Sequence, residues 1–138
     1  MSVTYDDALS AIVAYLQTSG TTLYDYCGTN VFKRVLPSSP DFKNDYAAVV
    51  CINSGETPYF TATLIDWTFH ARCYGGSSNP DAAANVHRAL RAILHSARCV
   101  AIGNITLVIV REENATEAIE PDTDFPVVNA MFRVLSAF

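Results

Sequence analysis

The stretch LIDWTFHARCYGG, Leu64 to Gly76, contains most of the longest strand candidate in the chain, which runs from about Ala62 to Tyr74. One face carries Ile65, Trp67, Phe69, Ala71 and Cys73, and the other carries Asp66, Thr68, His70 and Arg72. Apolar and polar residues that alternate with a period of two mark a strand buried on one side. At about 3.3 Å per residue it extends roughly 40 Å, long enough to reach beyond the core of a small domain. Gly75 to Asn79 then turn the chain, Pro80 suits the first position of a helix, and Asp81 suits its positive end.

That helix runs from Pro80 to about Ala97. Val86, Leu90, Ile93, Leu94 and Ala97 form one apolar arc, while His87, Arg88, Arg91, His95 and Arg98 form a basic edge. Beyond it lie a strand over roughly Val100 to Arg111, an irregular acidic segment, and a strand from about Val127 to Leu135 with Val128, Ala130, Phe132 and Val134 on one face. On the N-terminal side, Thr4 and Asp7 approximate a capping box, and Leu9, Ile12, Val13 and Leu16 recur at helical spacing up to a stop at Gly20. A loop from Thr21 to Gly28 follows, then strands over Asn30 to Leu36 and Ala47 to Ile52, joined by a Pro/Ser-rich connection through Pro37 and Pro40. The order α-β-β-β-α-β-β predicts an α+β fold: a largely antiparallel β-sheet with two helices packed on one face.

With 138 residues and 15.0 kDa, the chain is expected to form one domain, residues 1–138. Half of it is hydrophobic but only 17% is charged, against roughly 25% in ordinary soluble domains, and its lysines are two, Lys33 and Lys43. A surface so short of charge and rich in aromatics favours contact with other chains. The net charge of −5 argues against tight nucleic-acid binding, which needs a basic face. No apolar run approaches the roughly 18 residues of a membrane span, and Asp6 and Asp7 stand where a secretion signal would be positive. The expected site of synthesis is a cytoplasm. Cys27, Cys51, Cys73 and Cys99 are far apart and are expected to be reduced and mostly buried, and the sequons at Asn104 and Asn114 then carry no glycan.

Candidate chemistry concentrates in two clusters. Six of the fourteen acidic residues, Glu112, Glu113, Glu117, Glu120, Asp122 and Asp124, fall between 112 and 124. Paired carboxylates do acid/base work only in a pocket that shifts a pKa, which a polar connection between strands does not supply. The segment reads as a solvated hairpin tip, or as an arm that docks on a neighbour or lines an opening. The basic helix edge, Arg88, Arg91, His95 and Arg98 with His87, reads as a solvated face or as the complement of that acidic segment in an adjacent copy, a head-to-tail contact that generates rings. Charge reversal at Arg88 and Arg91 together would then weaken assembly at low salt.

His87 and His95 are eight apart with no Asp, Glu or Cys between them, so no metal site is expected. Asp66 and His70 lie about 13 Å apart along one strand, too far for a dyad, and cross-strand pairing of Asp66, His70 and Arg72 with Arg133 accounts for them better. No Gly-x-Ser-x-Gly elbow and no phosphate-binding glycine loop occurs, so neither catalytic residues nor a cofactor is assigned.

Four features in this order, the N-terminal helix, LIDWTFHARCYGG, PDAAANVHRALRAIL (Pro80 to Leu94) and EPDTDFPVVNAMFRVL (Glu120 to Leu135), resemble the tail terminator, or tail completion, proteins of long-tailed bacteriophages. The resemblance spans most of the chain and rests on element order and on the acidic turn, proline and FRV-like ending. It implies a virion protein, assembled in the host cytoplasm, that forms a six-fold ring at the head-proximal end of the tail. There it would halt tube polymerisation and meet the head's connector or stopper. Its partners would be further copies of itself, the tail tube protein and the connector, with DNA passing through the lumen unbound; an acidic lumen supplied by Glu112 to Asp124 would suit that passage. Two other readings stay open: a head-side stopper or minor tail ring protein, and, in a different class, a small ligand-binding or enzymatic domain with Asp66, His70, Arg72 and Arg133 as pocket floor.

Overall fold

A computed structural model of the chain describes residues 5–34, 47–58, 64–76, 79–95, 97–119 and 126–137. Its centre is β3 (Leu64–Gly75), the strand read first in the sequence. On one side β3 pairs antiparallel with β2 (Ala47–Pro58), and on the other with β6 (Pro126–Ala137). Both partners follow it along nearly its whole length, from Leu64 opposite Ala137 to Gly75 opposite Ala47, so it does not run free of the sheet. The sheet is completed by β1 (Val31–Lys33), parallel to β2, and by β5 (Ile105–Ile119) and β4 (Arg98–Ile102), in the order β1-β2-β3-β6-β5-β4. The α+β reading holds, with every described pairing but β1–β2 antiparallel.

The alternation in β3 sorts its side chains as the sequence predicts. Trp67, Phe69, Ala71 and Cys73 are buried with Val128, Ala130, Phe132 and Val134 of β6, beneath Leu9, Ile12 and Leu16 of α1 (Tyr5–Leu16). Phe69 and Phe132, direct neighbours across the strands, stack with ring centroids 5.3 Å apart. The Trp67 indole Nε1–H donates to Ser136 Oγ at 2.9 Å, which satisfies both polar groups inside the core. α3 (Pro80–Leu94) completes this layer with Val86, Leu90 and Leu94; Asn79 caps its start and Pro80 opens it.

Four expectations are corrected. Residues Thr21 to Gly28, expected as a loop, contain a third helix, α2 (Thr22–Cys27). Six residues are too few for helical periodicity, but the ends are marked: Thr21 Oγ1 accepts from Tyr24 N at 3.1 Å, and Gly28, with φ 58°, follows the last turn. The strand expected over Val100 to Arg111 is a hairpin, β4 and β5, turned at Gly103 (φ 60°) and Asn104 between the paired Ile102 and Ile105. α3 stops at Leu94, so Arg98 begins β4 instead of extending the helix.

The fourth correction concerns the acidic segment, which is not irregular from its start. β5 continues as strand through Glu112, Glu113 and Glu117 to Ile119, paired with β6, while Glu120, Asp122 and Asp124 lie outside the described residues. A bulge between Glu112 and Asn114 and full exposure beyond it erase the apolar alternation that would have marked the strand. β2 likewise runs beyond Ile52, to Pro58. The Thr4 cap and the end of the first expected strand at Leu36 also fall outside the described residues.

Candidate functional site

The two charge clusters meet at Glu112. α3 packs beneath β5 and β6, its N-terminus near the Ile119 end of β5 and its C-terminal half near the body of the sheet. This brings His87, Arg91 and His95, one turn apart on a single helix edge, against the start of the acidic run. Glu112 Oε2 lies 2.7 Å from His87 Nε2, and Oε1 lies 3.7 Å from Arg91 Nε. The backbone N–H of Glu112 donates to His95 Nδ1 at 3.1 Å, so that nitrogen is an unprotonated acceptor. The Glu112 side chain is 10% exposed and that of His87 14%, so their contact is shielded from solvent.

The other predicted residues are not drawn into this contact. Arg88 is exposed and, among the described residues, bonds to Asn85 Oδ1, at 3.2 Å, within its own helix. Arg98 is exposed at the start of β4, and among the described residues neither arginine has a carboxylate partner. Glu113 pairs with Arg111 at 3.3 Å on the surface, and Glu117 is exposed. Arg88, Arg91, Ala92 and His95 line a shallow depression of about 340 Å³ on the basic edge.

β5 is bare beside this edge. β4 pairs with it only as far as Ile109, the N–H of Val110 donates to Ala97 O at 3.0 Å, and that of Glu112 goes to His95. From Glu113 to Ile119, among the described residues, β5 has β6 on one side and no strand on the other. All seven residues are exposed, including Ile119 at 65%.

On the sheet face away from the helices, the residues weighed as a pocket floor are divided. Arg133 Nε donates to Asp66 Oδ1 at 3.0 Å and Nη2 donates to Oδ2, the cross-strand pairing expected of them. Together with Ile109, Arg111 and Leu135 they border a depression of about 180 Å³ that His70 and Arg72 do not line. Among the described residues no three His, Cys, Asp or Glu side chains gather as metal ligands, and no helix is long and apolar enough to cross a membrane. All four cysteines are free, with Cys27, Cys51 and Cys73 buried and Cys99 exposed. Burial pushes the Cys27 and Cys51 thiols up to about 12, and that of Cys73 well above its ordinary value.

The convergence at Glu112 is what sequence reasoning missed. His87 and His95 lack a carboxylate between them in the chain, yet one arrives from a strand that only the tertiary fold brings alongside. No local pattern signals it.

No family model matches the chain, and no curated protein matches it either. Among solved structures it is similar to a chain of one described as "Virion of native gene transfer agent (GTA) particle". The superposition has a TM-score of 0.64 and 16% sequence identity and covers 94% of each chain. At that identity, the likeness is one of fold.

Proposed function

We propose that this chain is a structural protein of a phage-like virion, and that it acts there as a tail terminator. In this reading it forms a ring, hexameric, on the head-proximal end of the tail tube, stops tube polymerisation and offers the surface that joins the head. The observation that carries the reading is the fold shared with a virion chain over 94% of both molecules. The sequence resemblance to tail terminators points the same way, as does the surface: few charges, two lysines, and an open strand edge seven residues long. The work is assembly, and no catalytic group, metal or cofactor enters it.

Mass in solution is the direct test. A ring of six has about 90 kDa, six times 15.0 kDa, and sizing with light scattering should find that species alone or after addition of the tail tube protein. A chain that stays at 15.0 kDa at high concentration, with tube protein present, overturns the ring. Gold labelling of assembled tails separates the terminator from a head-side stopper or minor ring component, since only the terminator marks the end of tubes that have never met a head.

A further inference from the structure

Two imidazoles hold Glu112, and they make opposite demands on their protons. A carboxylate oxygen only accepts, so His87 Nε2, 2.7 Å from Glu112 Oε2, carries a hydrogen. A backbone N–H only donates, so His95 Nδ1, 3.1 Å from the Glu112 nitrogen, carries none. Acid therefore acts on them differently. A further proton on His87 goes to its other nitrogen, leaves the bond to Glu112 in place and turns it into an ion pair. On His95 the further proton must go to Nδ1, the atom that accepts from the strand, and the bond is lost. The position of that bond gives its loss a consequence. Glu112 is where β5 leaves its outer neighbours behind: β4 pairs no further than Ile109, Ala97 O takes the N–H of Val110, and the His95 imidazole takes that of Glu112. The ladder to β6 also shifts register there, through the bulge between Glu112 and Asn114, so the strand is already irregular at the residue the imidazole holds.

We propose that His95 is a pH-operated clasp on the edge of β5: neutral, it caps the strand at the Glu112 N–H; protonated at Nδ1, it releases the strand, while His87 and Arg91 keep the Glu112 side chain on α3. The release is local. The helix stays docked through the carboxylate, and only the backbone at the bulge is freed, so the open edge begins at Glu112 instead of Glu113 and lies beside a helix edge with one more positive charge. His95 is half-buried and lines the shallow depression of the basic edge, so a proton from solvent can reach it. The charges around it are Arg88 and Arg91 of α3, Arg98 at the start of β4 and the Glu112 carboxylate of β5, whereas Arg111, paired with Glu113, lines the depression on the other face of the sheet. Ordinary imidazoles take up this proton near about pH 6.5, which places the clasp in a range that mild acid covers. The inference goes beyond the assembly reading above and does not depend on it.

Nitrogen-15 NMR of the full chain tests the clasp, with histidine tautomers read from long-range couplings within the imidazoles and amide exchange measured in parallel. At about pH 8, His95 should be the Nε2–H tautomer and the Glu112 amide should be protected. At about pH 5, His95 should carry both protons, and protection of the Glu112 amide, corrected for the intrinsic pH dependence of exchange, should fall at least about tenfold. The Val110 amide, which donates to Ala97 O, and the His87 Nε2–H should hold throughout. His95→Asn sets an amide oxygen at the place of Nδ1 without a titrating group, so it should protect the Glu112 amide at both pH values. His95→Ala should protect it at neither, and His87→Gln should leave the pH step in place. An Nδ1–H tautomer at about pH 8 overturns the clasp, as does a His95 still neutral at about pH 5 or a Glu112 amide equally protected at both values. These three are read on the wild-type chain and stand even where a variant fails to fold. A pH step that persists in His95→Asn overturns it as well.

Discussion

The four thiols divide by environment. Cys99 is exposed at the β4 edge, whereas Cys27, Cys51 and Cys73 sit in the core. A disulfide-exchange reagent added to the folded chain should react quickly with one thiol and reach the other three only on denaturation; four fast thiols would contradict the burial. The alkaline limb of stability follows from the same burial. Cys27 and Cys51 are raised from 9.0 to about 12 when folded, so the unfolded chain releases these protons first. Their contribution is whole below pH 9.0 and is lost as pH rises from there towards about 12, at about 1.4 kcal/mol per pH unit for each thiol. Cys51→Ala should flatten that limb in denaturant titrations between pH 9 and 11, after allowance for the methyl-scale cavity it leaves. Ser136 poses a simpler question, because Ser136→Ala removes the acceptor of the buried Trp67 N–H; the orphaned donor should cost about 1–3 kcal/mol in urea unfolding. The inward placement of Cys73 could be read from the alternation of β3, but that of Cys51 could not, since Ala47 to Ile52 is apolar at every position; nor could the Trp67–Ser136 bond, whose partners are 69 residues apart.

Elements whose burial is regular were legible in the sequence, and those whose burial is not were lost. β3, β6 and α3 each present an uninterrupted apolar face to the same core, so their periods of two and of 3.6 survive in the residue order. The outer half of β5 has no buried face and carries a bulge, and α2 is too short to show a period. The candidate site suffers most from this, because it forms where a regular element, α3, meets the irregular one. The meeting has two fixed points that mutation can probe. At the first, Gly75 ends β3 so close to α3 that an added Cβ would fall inside contact distance of the Ala82 and Ala83 backbone. Gly75→Ala must push the helix N-terminus away from the sheet, and its unfolding midpoint should drop by more than that of an exposed control such as Gly103→Ala, whose cost is backbone strain at φ 60° with open space around it. At the second, Glu112→Ala strips His87 and Arg91 of their carboxylate and should cost about 2 kcal/mol. Glu112→Gln, which keeps an acceptor for His87, should recover part of it. Equal loss in both would mean that charge, not hydrogen bonding, holds α3 to β5.

For the whole molecule, the shortage of charge becomes an argument about covered area. The folded chain exposes 7297 Å². Two ring neighbours and layers above and below, at roughly 800 Å² per contact, would cover about 3,200 Å², a little under half of it. Lysines, whose flexible charged ends gain nothing from such contacts, are correspondingly scarce. Coverage on this scale links assembly to folding, because a partner that binds only the folded chain stabilises it by mass action. The melting temperature should therefore rise with protein concentration across the range in which sizing finds the large species. Amide exchange gives the same result a location. The N–H groups of Glu113 to Ile119 that point away from β6 should exchange fast in the single chain and slowly in the assembly, while those of the β3 centre are slow in both. A melting temperature that ignores concentration while the large species is present would break the link between assembly and folding, whereas β5 amides equally fast in both states would mean that the copies touch elsewhere and that the open edge serves some other partner in the particle.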